Sequence, residues 1–212
     1  MPFISVPVIL DATVYNGFLV DHDATAQSQI QGIKENHVFA LARVLVAHHL
    51  ENDLEIHLLH RHFILGDGEA MVHWEISCPN PDITNGNPPS VSIDVAKVMR
   101  CPEVAGEEFH PVMWFSADKD TLIPYEYAFT AKSSCQRRVV NRASTEKLSA
   151  FAKDFSAIVW QAGLENLISL KDKSCLAGAE YVAPDIRALF RVPFSIITIP
   201  SIYGRIVLTP RI

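Results

Sequence analysis

Four of the nine histidines, His57, His60, His62 and His73, fall close together, and Glu75 follows two residues after the last of them. Imidazole nitrogens bind zinc at about 2.0–2.1 Å, and carboxylates complete such sites. His60, His62, His73 and Glu75 are therefore a candidate ligand set for one zinc, iron(II) or manganese ion. An ion held with an open position would polarise a carbonyl or lower the pKa of bound water to about 7. Without metal, the same four groups could move protons, one as base and another as acid, in a lyase, isomerase or cyclase reaction. Histidines that merely hydrogen-bond across strands or to water are the competing structural explanation.

Either chemistry needs the four side chains on one surface, and the local sequence suggests how. Leu54 to Leu65 and Glu69 to Ser77 read as strands flanking Gly66-Asp67-Gly68, and Asp-Gly is a strong hairpin signal. With a two-residue turn, His62 lies opposite His73 and His60 opposite Glu75. Strand side chains alternate, so all four then project from one face. Opposed Cβ atoms are about 5 Å apart, close enough for the groups to converge. A three-residue loop would split the set between faces. The site hangs on loop parity.

Other candidates are weaker. The chain has no Gly-x-Ser-x-Gly, Gly-x-Gly-x-x-Gly, Walker loop or His-Glu-x-x-His, which counts against common hydrolases, dinucleotide enzymes, nucleotide triphosphatases and zincins. Asp21-His22-Asp23 reads as a solvated turn. His48-His49 falls near a helix end, where a cation suits the dipole. Tyr125 and Tyr127 alternate with Glu126 on an expected strand, which reads as an aromatic inner face.

The elements that would carry these residues are of mixed type. Glu35 to Glu51 is apolar nearly all round, which predicts a helix packed on more than one side. Leu148, Phe151, Ala152, Phe155, Ile158, Val159 and Ala162 recur at helical spacing, with Gly163 placed to end the helix. Val112 to Ser116 and Leu122 to Thr130 form an expected hairpin, with Pro124 suggesting an edge strand. Phe194 to Ile199 and Arg205 to Thr209 are further strand candidates. The expectation is an α+β fold. Helices near 35–51 and 145–162 pack on a mostly antiparallel sheet, open or barrel-like. Residues 1–212 read as a single domain with a long loop at about 79–90.

Composition bounds the function. The 212 residues are 49% hydrophobic and 20% charged, with a net charge of −6, so the chain is not of the disordered class. An acidic balance and a pI near 5.8 leave no footprint for nucleic acid. No apolar run approaches the roughly 20 residues that a membrane helix needs. The N-terminal stretch lacks a signal-peptide pattern and reads as a strand or arm. Four scattered cysteines read as free thiols, and the expected location is cytoplasmic. The expected partner is a small-molecule substrate or ligand. An enzyme of small-molecule metabolism is the leading expectation, ahead of a non-catalytic binder and of a subunit of a larger assembly with structural histidines.

Overall fold

In the computed structural model, residues 10–31, 33–79, 90–100, 109–129, 145–173 and 178–193 are described. The chain begins with α1 (Ala12–Asn16), α2 (Asp21–Gln31) and α3 (Glu35–Ala47). Five strands follow: β1 (Leu54–Leu58), β2 (Glu69–Pro79), β3 (Ser90–Arg100), β4 (Phe109–Ser116) and β5 (Leu122–Phe129). Then come α4 (Thr145–Gln161), β6 (Ile168–Asp172), β7 (Gly178–Ala183), a 3-10 turn at Pro184–Ile186 and β8 (Ala188–Pro193). The strands form one sheet in the order β1-β6-β4-β5-β2-β3-β8-β7, curled into a half-barrel. Every pairing is antiparallel except β2 with β5. The α+β expectation holds.

The two anticipated helices lie on one face of this sheet. Leu148, Phe151, Ala152, Phe155 and Val159 of α4 are buried there with Leu41 and Leu45 of α3 and with Leu54, Trp114, Leu122, Ile168 and Leu170 of the strands. That is the stripe the helical spacing predicts. Among the described residues α3 buries only one side, since Phe39 is 57% and Val46 55% exposed. The expectation of a helix covered on several sides is not met. His48 caps α3 and lies 2.9 Å from Asp154 of α4, joining the two helices.

Both helices end alike. Gly163 has φ +67°, and Leu164 N–H returns to the Val159 carbonyl at 2.9 Å. At the end of α3 the same place is taken by His49, with φ +53°, and Leu50 N–H reaches the Leu45 carbonyl at 2.9 Å. A side chain in the left-handed region costs roughly 1–2 kcal/mol, which glycine avoids. His49→Gly is therefore expected to stabilise the protein by about 0.5–1 kcal/mol, seen as a rise in Tm of about 2–3 °C. An unchanged or lower Tm would show that the His49 side chain contributes more than its backbone strain costs.

The histidine hairpin does not form. β1 stops at Leu58 and pairs with β6, while β2 pairs with β3 and β5. His60 and His62 thus lie on no strand, and neither His62–His73 nor His60–Glu75 is a cross-strand pair. The turn itself is present, with Glu69 N–H on the Gly66 carbonyl at 3.1 Å and Gly68 at φ +73°. Asp67 is not in the left-handed region, which a type I′ hairpin turn requires at both central positions. Competing partners take residues 59–65 instead. Arg61 N–H bonds the Leu19 carbonyl at 2.8 Å, and the Asn16 side chain bonds both the N–H and the carbonyl of Leu65 at 2.8 Å.

Two smaller expectations also change. Pro124 lies on β5, an interior strand between β4 and β2 rather than an edge. Its missing N–H is tolerated because β2 pairs with β5 only from Glu126 onward. Asp21, His22 and Asp23 open α2, where carboxylates suit the positive end of the helix dipole. Within the 79–90 segment, Pro79 pairs with Ser90, so its ends belong to one hairpin. Residues 80–89, and the strand candidates at 194–199 and 205–209, lie outside the described residues.

Candidate active site

The second face of the sheet gathers the polar groups. Met71, Ala96, Val98, Met113, Phe115, Tyr125 and Leu189 are buried there beneath Tyr15 of α1 and Leu59, Phe63 and Leu65 of the 59–65 segment. Paired residues share a face, so the register shows what else points this way. One row runs Met113–Glu126–Met71–Val98, and the next runs His110–Ala128–His73–Ala96–Leu189. A third row pairs position 75 with position 94 and that with Arg191. At the far end, His57 pairs with Ser169, and Glu55 pairs with Lys171. An apolar floor is thus studded with ionisable groups from six strands.

Glu126 is the hub. It is 1% exposed, and its Oε2 lies 2.6 Å from Nε2 of His73, which is also 1% exposed. The Tyr15 hydroxyl donates to Glu126 Oε1 at 3.3 Å. Arg191, 2% exposed, places Nη1 3.4 Å from His73 Nδ1. A guanidinium can only donate, so His73 Nδ1 is the acceptor and the ring proton sits on Nε2, directed at Glu126. Burial by itself would push the Glu126 carboxyl upward. The hydrogen bond from His73, with the positive charge of Arg191, overcomes this and holds it well below the usual carboxylate range. Burial and the Glu126 charge together push the Tyr15 phenol well above its ordinary value.

Three more imidazoles adjoin the hub, His57 near the end of β1 and His60 and His62 in the irregular segment that follows. The rings of His57 and His60 are 5.4 Å apart, and those of His60 and His62 are 4.6 Å apart. His60 is 5% exposed, and its Nδ1 donates to the Leu58 carbonyl at 2.8 Å. Its Nε2, like that of His57, is buried with no hydrogen-bond partner among the described residues. Burial, then His60, Lys171 and Arg191, drive the pKa of His57 down to about 3.

No family model, curated protein or solved structure matches this chain.

The proposed ligand quartet is only partly assembled, and by a different route. His60 and His62 stack edge to face, whereas His73 bonds Glu126 and faces neither of them across a hairpin. Glu75 occupies the β2 position two beyond His73, but its side chain lies outside the described residues. Among the described residues no three His, Cys, Asp or Glu groups are placed to hold a metal. His73 has both ring nitrogens engaged, by Glu126 and Arg191.

Glu126, Arg191, Tyr15 and His57 were missed as site residues. Glu126 sits in Leu-Ile-Pro-Tyr-Glu-Tyr-Ala-Phe and Arg191 in Ala-Leu-Phe-Arg-Val-Pro. A lone charge in a strand that is apolar in both phases is the signal that could have found them, because such strands are covered on both faces.

The low pKa of His57 has a consequence for stability. Unfolded, this imidazole titrates near 6.5, whereas folded it stays neutral down to about 3. Between those values the unfolded state binds the extra proton, so stability rises with pH. Acidification from about pH 6.5 to 5 is expected to cost up to about 2 kcal/mol through this group. Urea unfolding of the parent and of His57→Phe at both pH values would measure it. The variant should show a shallower loss, and equal losses would contradict the assignment.

Proposed function

We propose that this face is the active site of an enzyme of small-molecule metabolism that works by metal-free general acid–base catalysis, of lyase, isomerase or cyclase type. One observation carries the proposal. A carboxylate, a guanidinium, a phenol and several imidazoles converge in an apolar setting, with Glu126, His73 and Arg191 almost wholly buried. Strongly perturbed, desolvated groups in specific contact are concentrated at functional sites, and structural ion-pair networks also produce them.

The roles divide by proton position. His60 carries its proton on Nδ1, so its Nε2 lone pair is the base. It takes a proton from the substrate, and the released electron pair moves into the adjacent substrate bond. The imidazolium formed keeps its Nδ1–H on Leu58 and returns the Nε2 proton at another substrate atom, or to a leaving group. Lys171 and Arg191 supply positive potential near His57 for the negative charge that develops on the substrate. His73 and Glu126 hold each other in place and anchor Tyr15.

A non-catalytic binder is the second reading. It is favoured by the aromatic wall of the same face, where Phe18 packs edge to face on Phe115 and Tyr125 with ring centroids 5.1 and 5.5 Å away. The test incubates chelator-treated protein with a fractionated metabolite mixture, followed by mass spectrometry. Consumption of one component, undiminished by the chelator, is the expected result. Consumption that stops with chelator and returns with zinc, iron(II) or manganese would instead support a metal enzyme. No consumption alongside tight retention of one component would support the binder.

A further inference from the structure

We infer that the His57–His60 end of this face takes an uncharged molecule that offers a hydroxyl or N–H donor on an apolar body, in preference to a carboxylate, a phosphate or an ammonium ion. The inference rests on the reading of this face as a small-molecule site. It begins with the His60 ring. A carbonyl oxygen only accepts, so the 2.8 Å contact between Nδ1 and the Leu58 carbonyl places the proton on Nδ1. In the neutral ring Nε2 is then a bare lone pair, on a side chain only 5% exposed and with no partner among the described residues. Leaving such an atom unpaired is costly, and a ligand donor removes that cost. An anion would set its own lone pairs against this nitrogen.

The neighbours narrow the choice further. His57 stands 5.4 Å from His60 ring to ring, and its Nε2 is likewise buried without a partner among the described residues. Burial and the nearby Lys171 and Arg191 keep it neutral, so it supplies no cation for an anionic group to pair with. Lys171 is already paired with Glu55 at 3.2 Å and Arg191 with His73 at 3.4 Å, so their charge weighs against an ammonium without offering a carboxylate a direct partner. Phe115 occupies the same row as His57, through Ser169, and belongs to the apolar cluster that lines the face. The apolar part of such a ligand then lies against the Phe115 side of this cluster, beside the His60 acceptor.

Three probes with one ring and different charges test this: phenol, benzoate and benzylamine, titrated calorimetrically into the full chain at about pH 7. Phenol is expected to bind tighter than both charged probes by about tenfold or more, and His60→Phe should weaken phenol by a similar factor. If that variant does not fold, the imidazole 15N spectrum of the parent decides. Phenol should move the His60 Nε2 resonance and leave Nδ1 on Leu58. Benzoate or benzylamine binding as tightly as phenol, no measurable phenol binding, or a His60 Nε2 that does not respond would overturn the inference. Phenol binding as expected by a protein that turns over nothing would sink the catalytic proposal alone. Turnover of an anionic substrate would sink the ligand class alone.

Discussion

Glu126→Ala is expected to lower the stability of the protein by about 3–5 kcal/mol, the range for breaking a buried charge pair by removing one partner. The change leaves the His73 Nε2–H and the Tyr15 hydroxyl without their acceptor, and Arg191 without the carboxylate that balances it. Glu126→Gln keeps the shape and one acceptor oxygen but loses the charge, so about 1–3 kcal/mol should go. The double variant His73→Phe/Glu126→Leu removes both partners and should lose less than the two single truncations summed. Urea midpoints with unchanged slopes give these values. A loss below about 1 kcal/mol for Glu126→Ala would mean that water reaches the carboxylate, contrary to its burial. Acid should act in the same direction. The Glu126 pKa is depressed on folding, so its contribution is complete above the ordinary carboxylate pKa and fades only as pH falls below it.

The second large effect concerns rate. With a turned-over substrate in hand, His60→Gln should lower kcat by about 100- to 10,000-fold, the usual worth of a positioned general base. Glutamine can still donate toward the Leu58 carbonyl, so the fold should be retained with a stability change within about 1 kcal/mol. His62→Gln is the comparison. Its ring lies against His60 at 4.6 Å but is not assigned the base, so a much smaller drop is expected. A kcat drop in His62→Gln that matches His60→Gln would move the base to the neighbouring ring. Unchanged turnover in His60→Gln would remove His60 from the mechanism.

What the sequence disclosed followed the range of the interactions involved. Local periodicity was enough for the helices, which run Glu35–Ala47 and Thr145–Gln161 against expected ranges of 35–51 and 145–162. The 112–116/122–130 hairpin was legible too, as β4 and β5. The Asp67-Gly68 turn was legible, but not what its two arms would pair with. That depended on Asn16, Leu19 and Arg187, which lie between roughly forty and more than a hundred residues away in the chain and claim the 59–65 backbone. α2 left no apolar pattern to read, because Asp-His-Asp-Ala-Thr-Ala-Gln-Ser-Gln-Ile-Gln is polar nearly all round.

The site was legible as a cluster and not as a geometry. Four neighbouring histidines mark one candidate region, yet loop parity joins His60 and His62 to His73 by a pairing that the fold lacks. The alternation of Tyr125 and Tyr127 with Glu126 reads as an aromatic inner face and draws no attention to the carboxylate between them. In the fold the tyrosines fall into different clusters, and β5 is covered on both faces. The parallel contact of β2 with β5, which sets Glu126 beside His73, joins residues 53 apart and has no local signature.

The central claim is a proton map, and imidazole 15N–1H correlation spectra of the uniformly labelled protein read it directly, with no substrate required. The account predicts His60 protonated on Nδ1 with a bare Nε2, His73 protonated on Nε2 beside Glu126, and His57 neutral until the pH nears about 3. His60 protonated on Nε2, or His57 charging near its ordinary pKa, would contradict it.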